Sequence, residues 1–253
     1  IFIGVTINAS IGIANQVNAA VYSFVSNFQM AFSPQITKTY ASNNLEEHRK
    51  LIFQTSKFSY YLSLILAIPI LLNTEYILML WLKTVPNYAV EFTQLTILVS
   101  LLQALSGPFW MSANAIGNIK RYQIGISSII ILNLPLAYVI LFYNLSPVYV
   151  FVANVGISLI AYFFRFWYIK SVLQFSLLDV FKEVYLRLII VSVLAFTVLF
   201  YIKKSFFLTE QTVSLVFIFS AICFVFSLLL VFSIGLSKTE RIIVYSFVKK
   251  IMN

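Results

Sequence analysis

Ionised side chains are what this sequence has least of. Of 253 residues only 10% are Asp, Glu, Lys or Arg, against about 25% in an ordinary soluble domain, and a surface in contact with water cannot be built from so few. The chain has one His (His48), one Cys (Cys223) and a single Asp (Asp179). One Cys excludes an intrachain disulfide. So small a set of nucleophiles, bases and metal ligands, with no Gly-rich phosphate loop among seven glycines, argues against an enzyme and calls for no cofactor or metal. His48 lies in Glu46-Glu47-His48-Arg49-Lys50 and reads as a solvated residue of a turn.

What is present is apolar: 61% of the residues are hydrophobic and the mean hydropathy is +0.94. Runs without charge extend from Ile1 to Thr37, Phe58 to Thr74, Phe92 to Ile119, Tyr122 to Phe164, Leu188 to Ile202 and Gln211 to Ser237. About 20 apolar residues cross a bilayer as a helix, and a charge at the centre of a spanning helix costs roughly 2.5–3.5 kcal/mol. The fold class is therefore all-α, a polytopic transmembrane bundle of seven spans near 10–36, 55–74, 92–116, 122–143, 147–168, 186–203 and 212–235. Asn144-Leu145-Ser146-Pro147 supplies the turn inside the longest run. Lys57, Arg187 and Lys203 are expected to snorkel from the ends of the marginal second and sixth spans.

Alternating the connections across the membrane places 14 of the 17 Lys and Arg on one side and Lys83, Lys203 and Lys204 on the other. The rich side is cytoplasmic by the positive-inside rule, which puts the C-terminus in the cytoplasm and the first residue outside. The net charge of +9 follows this topology instead of forming a stripe with stacking aromatics, so membrane lipids are expected partners and nucleic acid is not. With no initiator Met and no basic region before the first apolar run, the chain is expected to lack its N-terminal half. Capping boxes at Asn43/Glu46, Ser176/Asp179 and Ser237/Glu240 suggest membrane-surface helices, the last opening an amphipathic basic tail.

Polar residues inside the spans are uncharged and patterned. Asn8, Asn15, Tyr22 and Gln29 recur every seven residues, which drifts by only about 20° per step around a helix, and Asn18, Ser26 and Ser33 widen that face. So broad an arc must meet other helices or a wet cavity. With Gln103, Ser106 and Asn114 in the third span, a hydrophilic cavity is expected, lined by Asn15, Asn18, Tyr22, Gln29, Gln103 and Asn114. Gly107-Pro108 is the strongest kink signal and the candidate hinge; Pro135 is a second kink.

The stretch NASIGIANQVNAAVYSFVSNFQMAFSPQITKTYAS at 8–42, with KFSYYLSLILAIPILLNTEYILMLWLKTVPNYA at 57–89, SGPFWMSANAIGNIKRYQI at 106–124 and LNLPLAYV at 132–139, resembles bacterial O-antigen and polysaccharide repeat-unit flippases of the multidrug, oligosaccharidyl-lipid and polysaccharide exporter superfamily. The resemblance covers residues 1–170, which would be the C-terminal lobe with five spans; residues 171–253 would add an interfacial helix, two further spans and a cytoplasmic basic tail. It implies a non-enzymatic transporter of the bacterial inner membrane. The cargo would be a lipid-linked oligosaccharide on undecaprenyl pyrophosphate, moved by alternating access between two lobes, with the N-terminal half of the same protein and a polysaccharide polymerase as partners. Arg165 and Arg121, near cytoplasmic ends, would then be the candidate pyrophosphate contacts. A cation-coupled drug exporter of the same superfamily and a membrane-embedded glycan polymerase or transferase are the rival readings.

Overall fold

The computed structural model describes residues 4–117, 119–206 and 212–242. Among these residues the regular structure is helical throughout. The helices are α1 (Val5–Ala41), α2 (Leu45–Leu82), α3 (Ala89–Ile116), α4 (Ile119–Ile131), α5 (Asn133–Phe142), α6 (Val148–Leu173), a single turn α7 (Leu177–Val180), α8 (Leu186–Phe206) and α9 (Val213–Leu230). Stretches 45–82, 89–116, 119–142, 148–173, 186–205 and 213–235 are each long and apolar enough to cross a membrane. The helix over the first expected span, α1, is not in that set, because the polar arc lowers its hydropathy. At about 1.5 Å per residue, α1 and α2 are each some 55 Å long, well beyond a hydrocarbon core of about 30 Å, so the two helices continue past it.

The connections follow from local chemistry. The α1–α2 turn is held by Ser42, whose N–H reaches the Lys38 carbonyl, and by Asn43 in the left-handed region (φ 56°). Asn44, not Asn43, caps α2: its Oδ1 accepts from the Glu47 N–H and its Nδ2 donates to Glu47 Oε2. The capping box is thus shifted by one residue from its expected position, because Asn43 is consumed by the turn. Gly117 (φ 81°) ends α3 and Gln174 (φ 48°) ends α6. Arg49 donates to the Leu173 and Gln174 carbonyls at that end, a cation placed where the helix dipole is negative. At Ser237 the expected box is present, with the Ser237 N–H on Glu240 Oε2 and the Glu240 N–H on Ser237 Oγ. The Asp179 side chain and the basic tail after 242 lie outside the described residues.

Contacts divide the chain into two units: residues 1–63 with 73–177, and residues 64–72 with 178–253. In the first, α3 is the centre, with α1 and α6 packed against it and α4 and α5 packed on α6. Phe109 of α3 joins Phe53, Tyr162 and Phe166 in an aromatic cluster closed by Phe175. Gly125 lets α4 approach α6, since a Cβ there would sit 2.1 Å from the Phe164 ring. The fourth expected span is broken at Leu132 into α4 and α5, three residues before Pro135, whose ring denies the Ile131 carbonyl its partner.

In the second unit, π-helical turns at Phe181–Tyr185 and Val231–Gly235 precede α8 and follow α9. Cys223 is fully buried there. Lys203 donates to the Leu72 carbonyl, the last before the non-helical Asn73 (φ −121°, ψ 21°). The ammonium expected to snorkel therefore answers a carbonyl at a helix break.

Candidate functional site

Pro108 lies inside α3. It has no N–H to give the Ala104 carbonyl, and its ring strains the neighbouring bond to the carbonyl at 105. In a buried helix those acceptors need other donors, since an unpaired buried carbonyl costs about 1–3 kcal/mol. Two other helices supply them. Gln29 of α1 donates from Nε2 to the Ala104 carbonyl at 2.9 Å, and Ser56 of α2 donates from Oγ to the Leu105 carbonyl at 2.6 Å. Both side chains are nearly sealed from solvent, at 3% and 1% exposure.

Gly107 makes the first of these bonds possible. A Cβ at that position would lie 2.2 Å from Gln29 Oε1, a distance no real methyl group tolerates, so the Gly-Pro pair has two separable roles. Proline opens the backbone, and glycine leaves the space through which the Gln29 amide reaches it.

The same turn receives a charged group. Ser106 Oγ donates to the Gln103 carbonyl at 3.2 Å and accepts from Arg165 Nη1 of α6 at 2.8 Å. Arg165 Nε is buried without a partner, as are the Tyr122 hydroxyl of α4 and Asn18 Oδ1 of α1. Tyr122, itself 1% exposed, is fixed by an edge contact with Tyr168 at 5.2 Å between ring centres. Three helices, α1, α2 and α6, thus place polar side chains on the turn of α3 that precedes Pro108, and α4 packs the Tyr122 ring on Tyr168, one helical turn beyond Arg165.

A second buried polar group lies where α1 and α2 meet. His48 has no exposed surface: Nδ1 is 3.0 Å from both Thr39 Oγ1 and the Ile36 carbonyl, and Nε2 is 2.9 Å from Ser112 Oγ of α3. The expectation of a solvated turn is overturned, because α1 and α2 extend far enough to be covered by the end of α3. Lys57, expected to snorkel, is likewise buried at 3% exposure.

The expected cavity residues divide into three groups. Asn15 and Gln103 are exposed, and Asn18, Tyr22 and Asn114 are half-buried. Gln29 presents its amide to the α3 backbone, not to open space. Gly107 and Pro108 sit at the centre of the polar cluster, and Arg165 joins it through Ser106. Arg121 is exposed. Ser56 and Tyr122 went unremarked in the sequence; a proline at one position frees the carbonyl four residues earlier, which is the signal that could have called for a Gln29-like donor, whereas nothing in sequence marks Tyr122.

The MatE family model matches residues 3–139, which takes in α1 to α4 and most of α5. Comparison with curated proteins and with solved structures gives no match.

Proposed function

From the premise that this chain belongs to the MatE family and is a multi-pass membrane transporter of the exporter superfamily, we propose that its cargo is a lipid-linked oligosaccharide, carried on a polyprenyl pyrophosphate from the cytoplasmic to the outer leaflet of a bacterial inner membrane. The observation that carries the reading is the uncharged polar face of α1. Asn15 is exposed, Asn18 and Tyr22 are half-buried, and Asn18 Oδ1 is an acceptor without a donor. Sugar hydroxyls are donors that match such amide oxygens one by one, and a wet groove removes the cost of drawing them through hydrocarbon. The pyrophosphate needs a cation, and Arg165 is the candidate. Movement would be alternating access about a site near the membrane midplane, with the Pro108 kink as hinge.

The test is export. Combined Asn15→Ala, Asn18→Ala and Tyr22→Phe substitution in the full chain should lower surface polysaccharide at unchanged protein level. Unchanged export by the triple variant removes the cargo assignment. A strain lacking the protein that keeps its polysaccharide but becomes sensitive to cationic drugs would instead establish the drug-export reading.

A further inference from the structure

A guanidinium clasps two oxygens of a phosphoryl group best with its Nε and Nη2 edge, the two N–H bonds lying parallel. In this structure the opposite nitrogen, Nη1, is the one bound to Ser106. Nε is buried and has no acceptor. The arrangement ties one end of the guanidinium to α3 and leaves Nε, half of the chelating edge, without an acceptor. A second donor without a partner is the hydroxyl of Tyr122, buried on α4, whose ring packs on Tyr168, one helical turn beyond Arg165 on α6. A buried donor of a cationic group without an acceptor is costly, and a desolvated phosphoryl oxygen is the acceptor that relieves it most strongly, because charge-assisted hydrogen bonds are roughly twice as strong as neutral ones.

Resting on the cargo reading above, we infer that Ser106 is a positioning residue: it presents the Nε and Nη2 edge of Arg165, together with the Tyr122 hydroxyl, as a bidentate phosphoryl site, and thereby ties anion affinity to the bend of α3. Ser106 belongs to the turn that precedes Pro108, and side chains from α1 and α2 hold the same turn. A change in the bend moves Ser106, and with it the edge that Arg165 offers. By linkage an anion on that edge must in turn favour the bend that presents it. Cargo capture and hinge shape then become one equilibrium.

The experiment uses the full chain in nanodiscs of neutral lipid. Inorganic pyrophosphate is one probe and a polyprenyl pyrophosphate embedded in the disc is the other; binding is read by calorimetry and hydrogen exchange is followed over residues 103–112. Ser106→Ala should weaken binding about threefold to tenfold, the size of one lost hydrogen bond, Ser106→Thr should restore it, and Tyr122→Phe should weaken it by a similar factor. Arg165→Lys should fail to rescue the loss seen in Arg165→Gln, since an ammonium cannot chelate. Pyrophosphate should slow exchange over 103–112 in the unmodified protein and leave it unchanged in Ser106→Ala. Arg165-dependent binding of both probes identifies the phosphoryl group alone as the determinant, and binding of the lipid probe only places the site in contact with the prenyl chain as well. Ser106→Ala with undiminished affinity overturns the positioning role while Arg165 remains a contact. Full binding by Arg165→Gln, or no binding of either probe, overturns the contact itself.

Discussion

Of the prolines inside the described helices, which also include Pro34 of α1 and Pro69 of α2, Pro108 and Pro135 are accommodated in different ways. In α3, 61% of the most apolar 18 residues are buried; in the α4–α5 stretch the figure is 6%. At the buried site the carbonyls released by Pro108 are met by Gln29 and Ser56 from other helices. At the exposed site the helix parts at Leu132, and Asn133 of the same stretch reaches the Ile130 carbonyl at 3.1 Å, next to the Ile131 carbonyl that Pro135 leaves without its helical partner. The contrast shows what makes a proline kink a coupling element. A kink satisfied from within its own helix can flex without consequence, whereas one satisfied by neighbours cannot change shape unless the neighbours move too.

The largest expected effect tests that dependence. Gln29→Leu keeps the volume but removes the donor to Ala104, and should lower unfolding stability in detergent by about 1–2 kcal/mol, near the upper end for hydrogen bonds measured within membranes. Pro108→Ala returns an N–H to the same carbonyl. The double variant should therefore be more stable than Gln29→Leu alone, and additive losses in such a cycle would mean that Gln29 does not serve the kink. Gly107→Ala comes next, at about 1 kcal/mol, because the new Cβ forces the Gln29 amide off its partner. In a Gln29→Ala background the same substitution should be neutral or slightly stabilising, as expected of Gly to Ala in a helix. A loss of equal size in both backgrounds would place the clash elsewhere.

The helices were legible because hydrocarbon punishes charge: each expected span lies within or almost within one helix or, for the fourth, the α4–α5 pair. The site was legible only in part. A seven-residue repeat says that Asn15, Tyr22 and Gln29 share a face of α1, but not which stretch of that face is covered; Gln29 is buried against α3, and Asn15 is exposed. His48 and Lys57 were misplaced for a related reason. Charge-rich flanks mark the water boundary by composition, yet α1 and α2 run on beyond the apolar stretch, and polar partners such as Ser112 are buried with them. Asn43 and Asn44 differ only by the register of a turn, which composition does not fix. Arg165 was found as a cation but not as a partner of Ser106, since 59 residues separate them and the backbone path between is not written in local pattern.

The smaller effects lie on the other side of the comparison. Ser56→Ala should cost about 0.5–1 kcal/mol, less than Gln29→Leu, because the bond to Leu105 supplements a strained backbone bond where Gln29 replaces a missing one. Pro135→Ala should change stability by about 0.5 kcal/mol or less, and Asn133→Ala by less still, since the α4–α5 break is exposed. Pro108→Ala should slow hydrogen exchange in α3 and also alter it near Gln29 and Ser56, while Pro135→Ala should slow exchange only over residues 131–136. An effect of Pro135→Ala that spread to α1 or α3 would erase the distinction between a coupled and an autonomous kink. Its confinement would leave Pro108 as the bend through which a change at Arg165 can reach α1 and α2.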